Sequence, residues 1–144
     1  MKTGYLSEME IRDLDKSEQA ALIDGLKLAA KLSDTGLPLS LTNIQELYDA
    51  LNGRGNDFPE GTIACGLAFG QLIVDQTGFD WVRVNDEYGE ETCVSPSGAK
   101  LICSPVSMIQ KRLSRGESLN LKDLKNEVIN SLAAKLESGD YDTR

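Results

Sequence analysis

The stretch GLAFGQLIVDQTGFDWVRVN, residues 66–85, contains the change of pattern that decides the fold. Its apolar first part belongs to a predicted helix over 60–76, with glycines at positions 66 and 70, one helical turn apart. Each glycine costs a helix about 1 kcal/mol relative to alanine, so we expect close packing to compensate and place this helix at the centre of the fold. Gly78 ends the helix, and the sequence then alternates with the two-residue period of a β-strand.

Helices are also predicted before this stretch. Apolar residues spaced by three and four predict an amphipathic helix over 9–32, with a new cap near Asp15. A second helix follows over 42–51, where Thr42 and Gln45 have the spacing of a capping box.

Strands and two more helices are predicted after it. Residues 80–85, 91–95 and 100–104 have the pattern of three short antiparallel strands. Pro105 and Asn120 mark the beginnings of helices that end near 115 and 137, and the polar tail 138–144 is expected to fray. The sequence thus predicts one α+β domain over 1–144: three N-terminal helices, a three-stranded antiparallel meander and two C-terminal helices.

Composition and charge limit the classes of function. The chain has 144 residues, 40% of them apolar, and a net charge of −8, which disfavours nucleic acid as the main ligand and suits either a basic protein partner or plain solubility. The apolar run 62–74 is shorter than the roughly 20 residues that cross a membrane. Residues 1–19 have no apolar core of signal-peptide length, so we expect no secretion signal there. The 3 cysteines are an odd number, which favours free thiols and a cytoplasmic location.

The chain has no histidine. This excludes Ser-His-Asp and Cys-His catalysis, histidine zinc sites and the commonest general base near neutral pH. There is no CxxC pair and no phosphate-binding loop. We therefore predict no catalytic residues, no metal site and no cofactor.

Carboxylates surround the turn at Gly89 in the stretch VRVNDEYGEET, residues 82–92. Their spacing does not match a calcium-binding EF-hand loop, so a solvated hairpin turn shaped by Asp86 and Gly89 is the preferred interpretation. Basic residues cluster later, in QKRLSRGE, around Lys111 and Arg112. Three roles stay open for them: pairing with Asp86 or Glu87, complementing the C-terminal end of their own helix, or binding an anion.

Three segments resemble an uncharacterised bacterial family, the domain of unknown function 3806. GLAFGQLI, WVRVNDEYGE and SPVSMIQKRLSRGE are similar to its pattern G-x3-G, W-x4-D-x-Y-G and P-x5-K-R, over about 61–117. The resemblance implies a small bacterial cytosolic domain, assigns no activity, and singles out Asp86, Tyr88, Lys111 and Arg112. The matching positions are Gly66, Gly70, Trp81, Asp86, Tyr88, Gly89, Pro105, Lys111 and Arg112.

Two functional hypotheses follow. The first is a non-enzymatic interaction module, an adaptor or immunity-type inhibitor whose acidic surface covers a basic partner, with neither nucleic acid nor membrane as a ligand. The alternative is a small-ligand-binding protein or enzyme. Its polar site would be formed by Asp86, Tyr88, Lys111 and Arg112 around Trp81. The sequence does not indicate the oligomeric state.

Overall fold

The computed structural model describes residues 9–54 and 57–144, which form five helices and three strands. Three helices precede a β-hairpin and two follow it, so the α+β class and this part of the order are as predicted. The elements are β1 (Glu10–Asp13), α1 (Lys16–Leu32), α2 (Leu41–Asn52), α3 (Pro59–Thr77), β2 (Asp80–Asp86), β3 (Gly89–Ser95), α4 (Pro105–Ser114) and α5 (Leu121–Ser138).

Helix α3 lies at the centre, as its composition predicts. It packs against each of the other four helices and against β3. Nearly every residue from Ala64 to Gly70 is buried around the whole circumference of the helix, which is why it shows no amphipathic stripe. It ends at Gly78, whose φ of 77° is the left-handed conformation that glycine adopts without strain. Among the described helices, none is both long and apolar enough to cross a membrane.

The two glycines of the central helix allow α4 and β2 to approach it closely. A Cβ atom on Gly66 would lie 2.6 Å from the Val106 Cα atom, and one on Gly70 would lie 2.8 Å from Pro105 Cγ and meet the Trp81 ring. We call this contact of Gly66, Gly70, Trp81, Pro105 and Val106 the glycine seam. Its close packing offsets the cost of glycine in a helix.

The sheet is antiparallel, with the strand order β1-β2-β3. The predicted alternation in β2 is confirmed: Val82 and Val84 are buried on one face, where Met9, Ile11 and Ile102 pack against them. Trp81 points to the opposite face and packs against the helical core. The sheet therefore has apolar contacts on both faces.

The prediction of a meander is wrong for its third strand. The predicted strand 100–104 makes only an isolated bridge, between Cys103 and Val94. The third strand is β1, which the sequence assigned to a helix over 9–32. Pairing with β2 overrides the local three-and-four spacing, and the helix begins only after Asp15, at the predicted cap.

The cap of α2 also differs from the prediction. Ser40 and Asn43 form the capping box instead of Thr42 and Gln45. The Gln45 amide instead accepts a hydrogen bond from the Leu121 N–H and donates one to the Leu119 carbonyl, each at 2.8 Å. Gln45 thereby holds the start of α5 against α2.

The tail is ordered, contrary to the expectation that it frays. Thr143 forms a bridge with Ala99, and the Arg144 guanidinium donates to the Pro96 carbonyl at 2.7 Å and to Ser95 Oγ at 3.1 Å. Arg144 also pairs with Asp80 at 3.4 Å. The carbonyl oxygens of Ser95, Pro96 and Ala99, at the end of β3 and in the turn that follows it, provide acceptors for the guanidinium, which no local pattern in the tail reveals.

Candidate functional site

A cleft of about 500 Å³ lies between α1, α3, α4 and the β2–β3 hairpin. Helices α1 and α4 both pack on α3, and the space that they leave above α3 is bounded by the hairpin. Its volume is within the range of ligand-binding clefts. The lining residues are Glu18, Ala21, Leu22, Ile63, Leu67, Arg83, Glu90, Glu91, Thr92, Val106, Ser107 and Gln110.

The floor of the cleft is apolar. Ile63 and Leu67 lie one turn apart on α3, with Leu22 of α1 and Val106 of α4 beside them. Leu67 is 7% exposed, whereas Ile63 is 41% exposed, an unusual fraction for an isoleucine on a central helix. The position of Val106 follows from the glycine seam, because its Cα atom lies against Gly66.

A network of two arginines and two glutamates forms the polar wall. The Arg12 guanidinium donates to both carboxylate oxygens of Glu18, at 2.7 and 2.8 Å, and approaches Glu90 at 3.4 Å. Arg83 lies 3.4 Å from Glu18 and 3.3 Å from Glu90, and donates to Thr92 Oγ1 at 2.9 Å. The network joins β1, β2, β3 and α1, which fixes this wall of the cleft.

Glu18 is the centre of this network and also caps α1. Its carboxylate accepts the Asp15 N–H at 2.9 Å, while the Asp15 carboxylate accepts the Glu18 N–H at 2.8 Å. The hydrogen bonds from Arg12, followed by that from the Asp15 backbone, lower the pKa of Glu18 to about 2. The same contact with Glu18 raises the pKa of Arg12, so both groups stay ionised near neutral pH.

Glu91 connects the hairpin to α4 across the cleft. The Ser107 hydroxyl donates to Glu91 Oε2 at 2.6 Å. Within residues 9–54 and 57–144, Glu91 forms no ion pair with lysine or arginine. In the described part of the chain it is therefore a hydrogen-bonded carboxylate without a cation.

The chain's thiols lie outside the cleft lining. Cys65, Cys93 and Cys103 are buried and unbridged, and burial raises the pKa of each thiol to about 12. They are protonated near neutral pH, which removes the thiolate that nucleophilic catalysis needs. The described residues also contain no group of three Cys, Asp or Glu placed to share a metal ion. The cleft thus offers fixed charges, hydrogen-bonding groups and apolar surface for binding.

A family model described as Domain of unknown function (DUF3806) matches residues 41–124. This is more than half of the 144-residue chain. The chain belongs to the DUF3806 family. The match extends beyond the predicted range of 61–117 and includes α2 and the start of α5. No curated protein matches the chain in sequence.

A solved structure has the same fold as this DUF3806 protein. It is a crystal structure at 1.50 Å resolution from Bacteroides thetaiotaomicron VPI-5482, with a TM-score of 0.70 and 16% sequence identity. The aligned region covers 91% of this chain and 51% of the other. The chain thus spans about half the length of that protein, and the similarity establishes the fold.

Four positions of the pattern by which the sequence resembles DUF3806 lie in the glycine seam. Gly66, Gly70 and Pro105 bring α3 and α4 together, and the Trp81 ring packs over Gly70. The Trp81 indole N–H donates to Gln71 Oε1 at 2.9 Å. Trp81, predicted as a binding residue, therefore lies in a packing contact and is absent from the cleft lining.

Three more pattern positions form the hairpin turn. Asp86 Oδ1 accepts the Tyr88 N–H at 2.8 Å, and Gly89 has a φ of 122°. This is the turn that the sequence predicts from Asp86 and Gly89. The Tyr88 side chain is 89% exposed at this turn.

Lys111 and Arg112 complete the pattern, and they lie in different grooves. Arg112 lines a groove between α4 and α5, whereas Lys111 lies beside the start of α3. Arg112 donates to the Met108 carbonyl of its own helix at 3.1 Å, which fits the structural role near a helix end. Among the described residues, neither side chain pairs with Asp86 or Glu87. The structure therefore brings Asp86 and Tyr88 together on the hairpin and leaves the other candidates apart.

Sequence reasoning missed the residues that line the cleft. They come from five separate elements, so no short motif contains them. One local signal existed: Asp15 and Glu18 have the spacing of a capping box, which marks Glu18 as a fixed carboxylate. The position of Arg12 beside Glu18 was not predicted, because the segment that contains Arg12 was assigned to a helix.

Proposed function

We propose that this protein is a non-enzymatic interaction module, an adaptor or immunity-type inhibitor, whose cleft receives a segment of a basic partner protein. The observation that carries the proposal is the 41% exposure of Ile63 on the apolar floor of the cleft. Apolar groups exposed on the floor of a concave site with polar walls fit a surface that a partner covers. Covering Ile63 would contribute about 1 kcal/mol.

The walls of the cleft are held in place before any partner binds. The ion pairs of Glu18 with Arg12 and Arg83 hold α1 against the sheet, and the Ser107–Glu91 hydrogen bond holds α4 against the hairpin. Side chains that are fixed before association lose less conformational entropy on binding. The net charge of −8 favours encounter with a basic partner.

We place this function in the cytoplasm. Cys65, Cys93 and Cys103 are unbridged, as cysteines are in a reducing compartment. A small-ligand site or an enzyme centre around Asp86, Tyr88, Lys111 and Arg112 is not proposed, because Lys111 and Arg112 line two different grooves that neither Asp86 nor Tyr88 lines.

Selection of random linear peptides on the full chain tests the proposal. We expect enriched peptides to combine lysine or arginine with apolar side chains, and a labelled synthetic copy to bind in fluorescence anisotropy. Ile63→Asp should weaken this binding about 10-fold or more, the effect of losing a central apolar contact. Circular dichroism and urea unfolding establish that the variant is folded.

Ile23→Asp is the matched control. Ile23 is 48% exposed on α1 and does not line the cleft, so the same substitution there should leave peptide affinity unchanged. Absence of any enriched peptide, or an equal loss of affinity in both variants, would refute the proposed function.

A further inference from the structure

Three carboxylates line the cleft, and two of them already have cations. Glu18 and Glu90 both contact Arg12 and Arg83, so this group of four side chains has balanced charge. Glu91 has no cationic partner within residues 9–54 and 57–144. The uncompensated negative charge of the cleft is therefore located at one residue.

A partner that covers Glu91 removes water from this charge. Burial of an ionised carboxylate without a cation is unfavourable, and one hydroxyl donor does not compensate for it. Such a penalty falls on every partner segment that brings only apolar or neutral groups to this position. A segment with a cation there avoids the penalty and gains an ion pair in a site shielded from water.

The hydrogen bond from Ser107 limits which cation fits best. It occupies Glu91 Oε2 at 2.6 Å, whereas Oε1 accepts no hydrogen bond from the residues that the structure describes. A guanidinium that binds both oxygens would have to share Oε2 with the Ser107 hydroxyl, whereas an ammonium group can bind Oε1 alone. A lysine also has an unbranched aliphatic stem that packs along apolar surface such as Ile63 and Leu67.

We infer that the partner segment inserts a lysine into the cleft, with its ammonium group on Glu91 Oε1 and its stem on the apolar floor. Glu91 is then the residue that determines specificity, and Ile63 provides apolar contact without discrimination. The inference rests on the proposed function, because it requires that the cleft bind a protein segment.

A double-mutant cycle between protein and peptide tests the lysine–Glu91 pair. The probe is the synthetic peptide selected on the full chain, with its lysine replaced in turn by norleucine, which keeps the stem, and by arginine. Each peptide is titrated against wild type, Glu91→Gln and Glu87→Gln. Glutamine retains an acceptor for Ser107, and Glu87→Gln removes the same charge from an exposed hairpin position outside the cleft.

Norleucine should weaken binding to wild type about 10-fold and to Glu91→Gln less than about 2-fold. Glu87→Gln should behave as wild type, and arginine should bind wild type more weakly than lysine. If the norleucine effect is the same in wild type and Glu91→Gln while Ile63→Asp still abolishes binding, the lysine–Glu91 inference is wrong and the proposed function stands. If arginine binds as tightly as lysine, the preference for an ammonium group is wrong. If no peptide depends on Ile63, the proposed function fails and this inference fails with it.

Discussion

The glycine seam and the cleft use the same helix, α3, in opposite ways. In the seam, Gly66 and Gly70 have no side chains, and α4 and Trp81 fill the space. In the cleft, Ile63 and Leu67 extend side chains into space that the protein leaves open. The pattern by which the sequence resembles DUF3806 includes four of the five seam residues and no residue of the cleft lining. Four pattern positions thus mark where three elements pack together, whereas the cleft in which we propose that a partner binds lies outside the pattern. Val106 belongs to both the seam and the cleft lining.

Alanine at Gly66 should have the largest effect on stability. Its Cβ atom would lie 2.6 Å from Val106 Cα and 3.2 Å from the Pro105 carbonyl oxygen, and backbone atoms cannot move aside. We expect Gly66→Ala to lower the free energy of unfolding by about 2 kcal/mol, an overpacking cost that exceeds the gain in helix propensity. Urea denaturation measures this value.

Gly25→Ala is the matched control on the cleft side. Its Cβ atom would meet only the flexible end of the Leu67 side chain, so the propensity gain of about 1 kcal/mol should offset the contact. If Gly66→Ala and Gly25→Ala lower the free energy of unfolding equally, contact with backbone atoms is not the cause of the destabilisation expected at Gly66.

A double-mutant cycle of Gly70→Ala and Trp81→Phe examines the seam more closely. A Cβ atom on Gly70 would meet the six-membered ring of Trp81, and phenylalanine is smaller in that region. Each single substitution should destabilise the protein by about 1 to 2 kcal/mol. The double variant should be more stable than the sum predicts by about 1 kcal/mol, which is a usual coupling for residues in contact. If the two changes in unfolding free energy are additive in urea denaturation, packing of the Trp81 ring does not require glycine at position 70.

Acid should weaken the cleft wall through Glu18. Its pKa is lowered from 4.5 to about 2 in the folded protein, so its stabilising contribution is complete above pH 4.5 and is lost as the pH falls toward 2. The difference in unfolding free energy between wild type and Glu18→Gln should therefore shrink over this range. Urea denaturation at several pH values measures it, and a difference that stays constant would contradict the ion-pair network in solution.

Tyr88 should have the smallest effect, although it belongs to the family pattern. Its side chain is 89% exposed at the hairpin turn, outside both the seam and the cleft. Tyr88→Ala should change the free energy of unfolding by less than about 0.5 kcal/mol and leave peptide affinity unaltered. A loss of peptide affinity in anisotropy would extend the recognition surface from the cleft to the hairpin turn.

Local signals in the sequence predicted most of the helices. Gly78, Pro105 and Asn120 mark ends that the structure has, because caps and breakers act on adjacent backbone groups. Strand β1 was missed because its evidence lies in β2: Ile11 faces Val84 only after the chain has folded.

The candidate site was less predictable than the fold. The sequence pattern singled out Trp81, Asp86 and Tyr88 as candidate binding residues. In the structure Trp81 packs against Gly70, Asp86 forms the hairpin turn, and the Tyr88 side chain is exposed. Glu91 appeared in the sequence as one of many carboxylates around a turn. Its distinction is the absence of a cation among its described neighbours, which depends on where Arg12 and Arg83 lie in three dimensions.

The pairing of β1 with β2 limits how far the protein can be truncated. A fragment cut at the limits of the family match, 41–124, would lack β1 and leave the outer edge of β2 with free N–H and C=O groups. It would also lack α1, one wall of the cleft, and the Arg144 contacts with Ser95 and Pro96. Such a fragment should aggregate through its open edge, so the smallest fragment suited to binding studies extends well beyond the segment that defines the family.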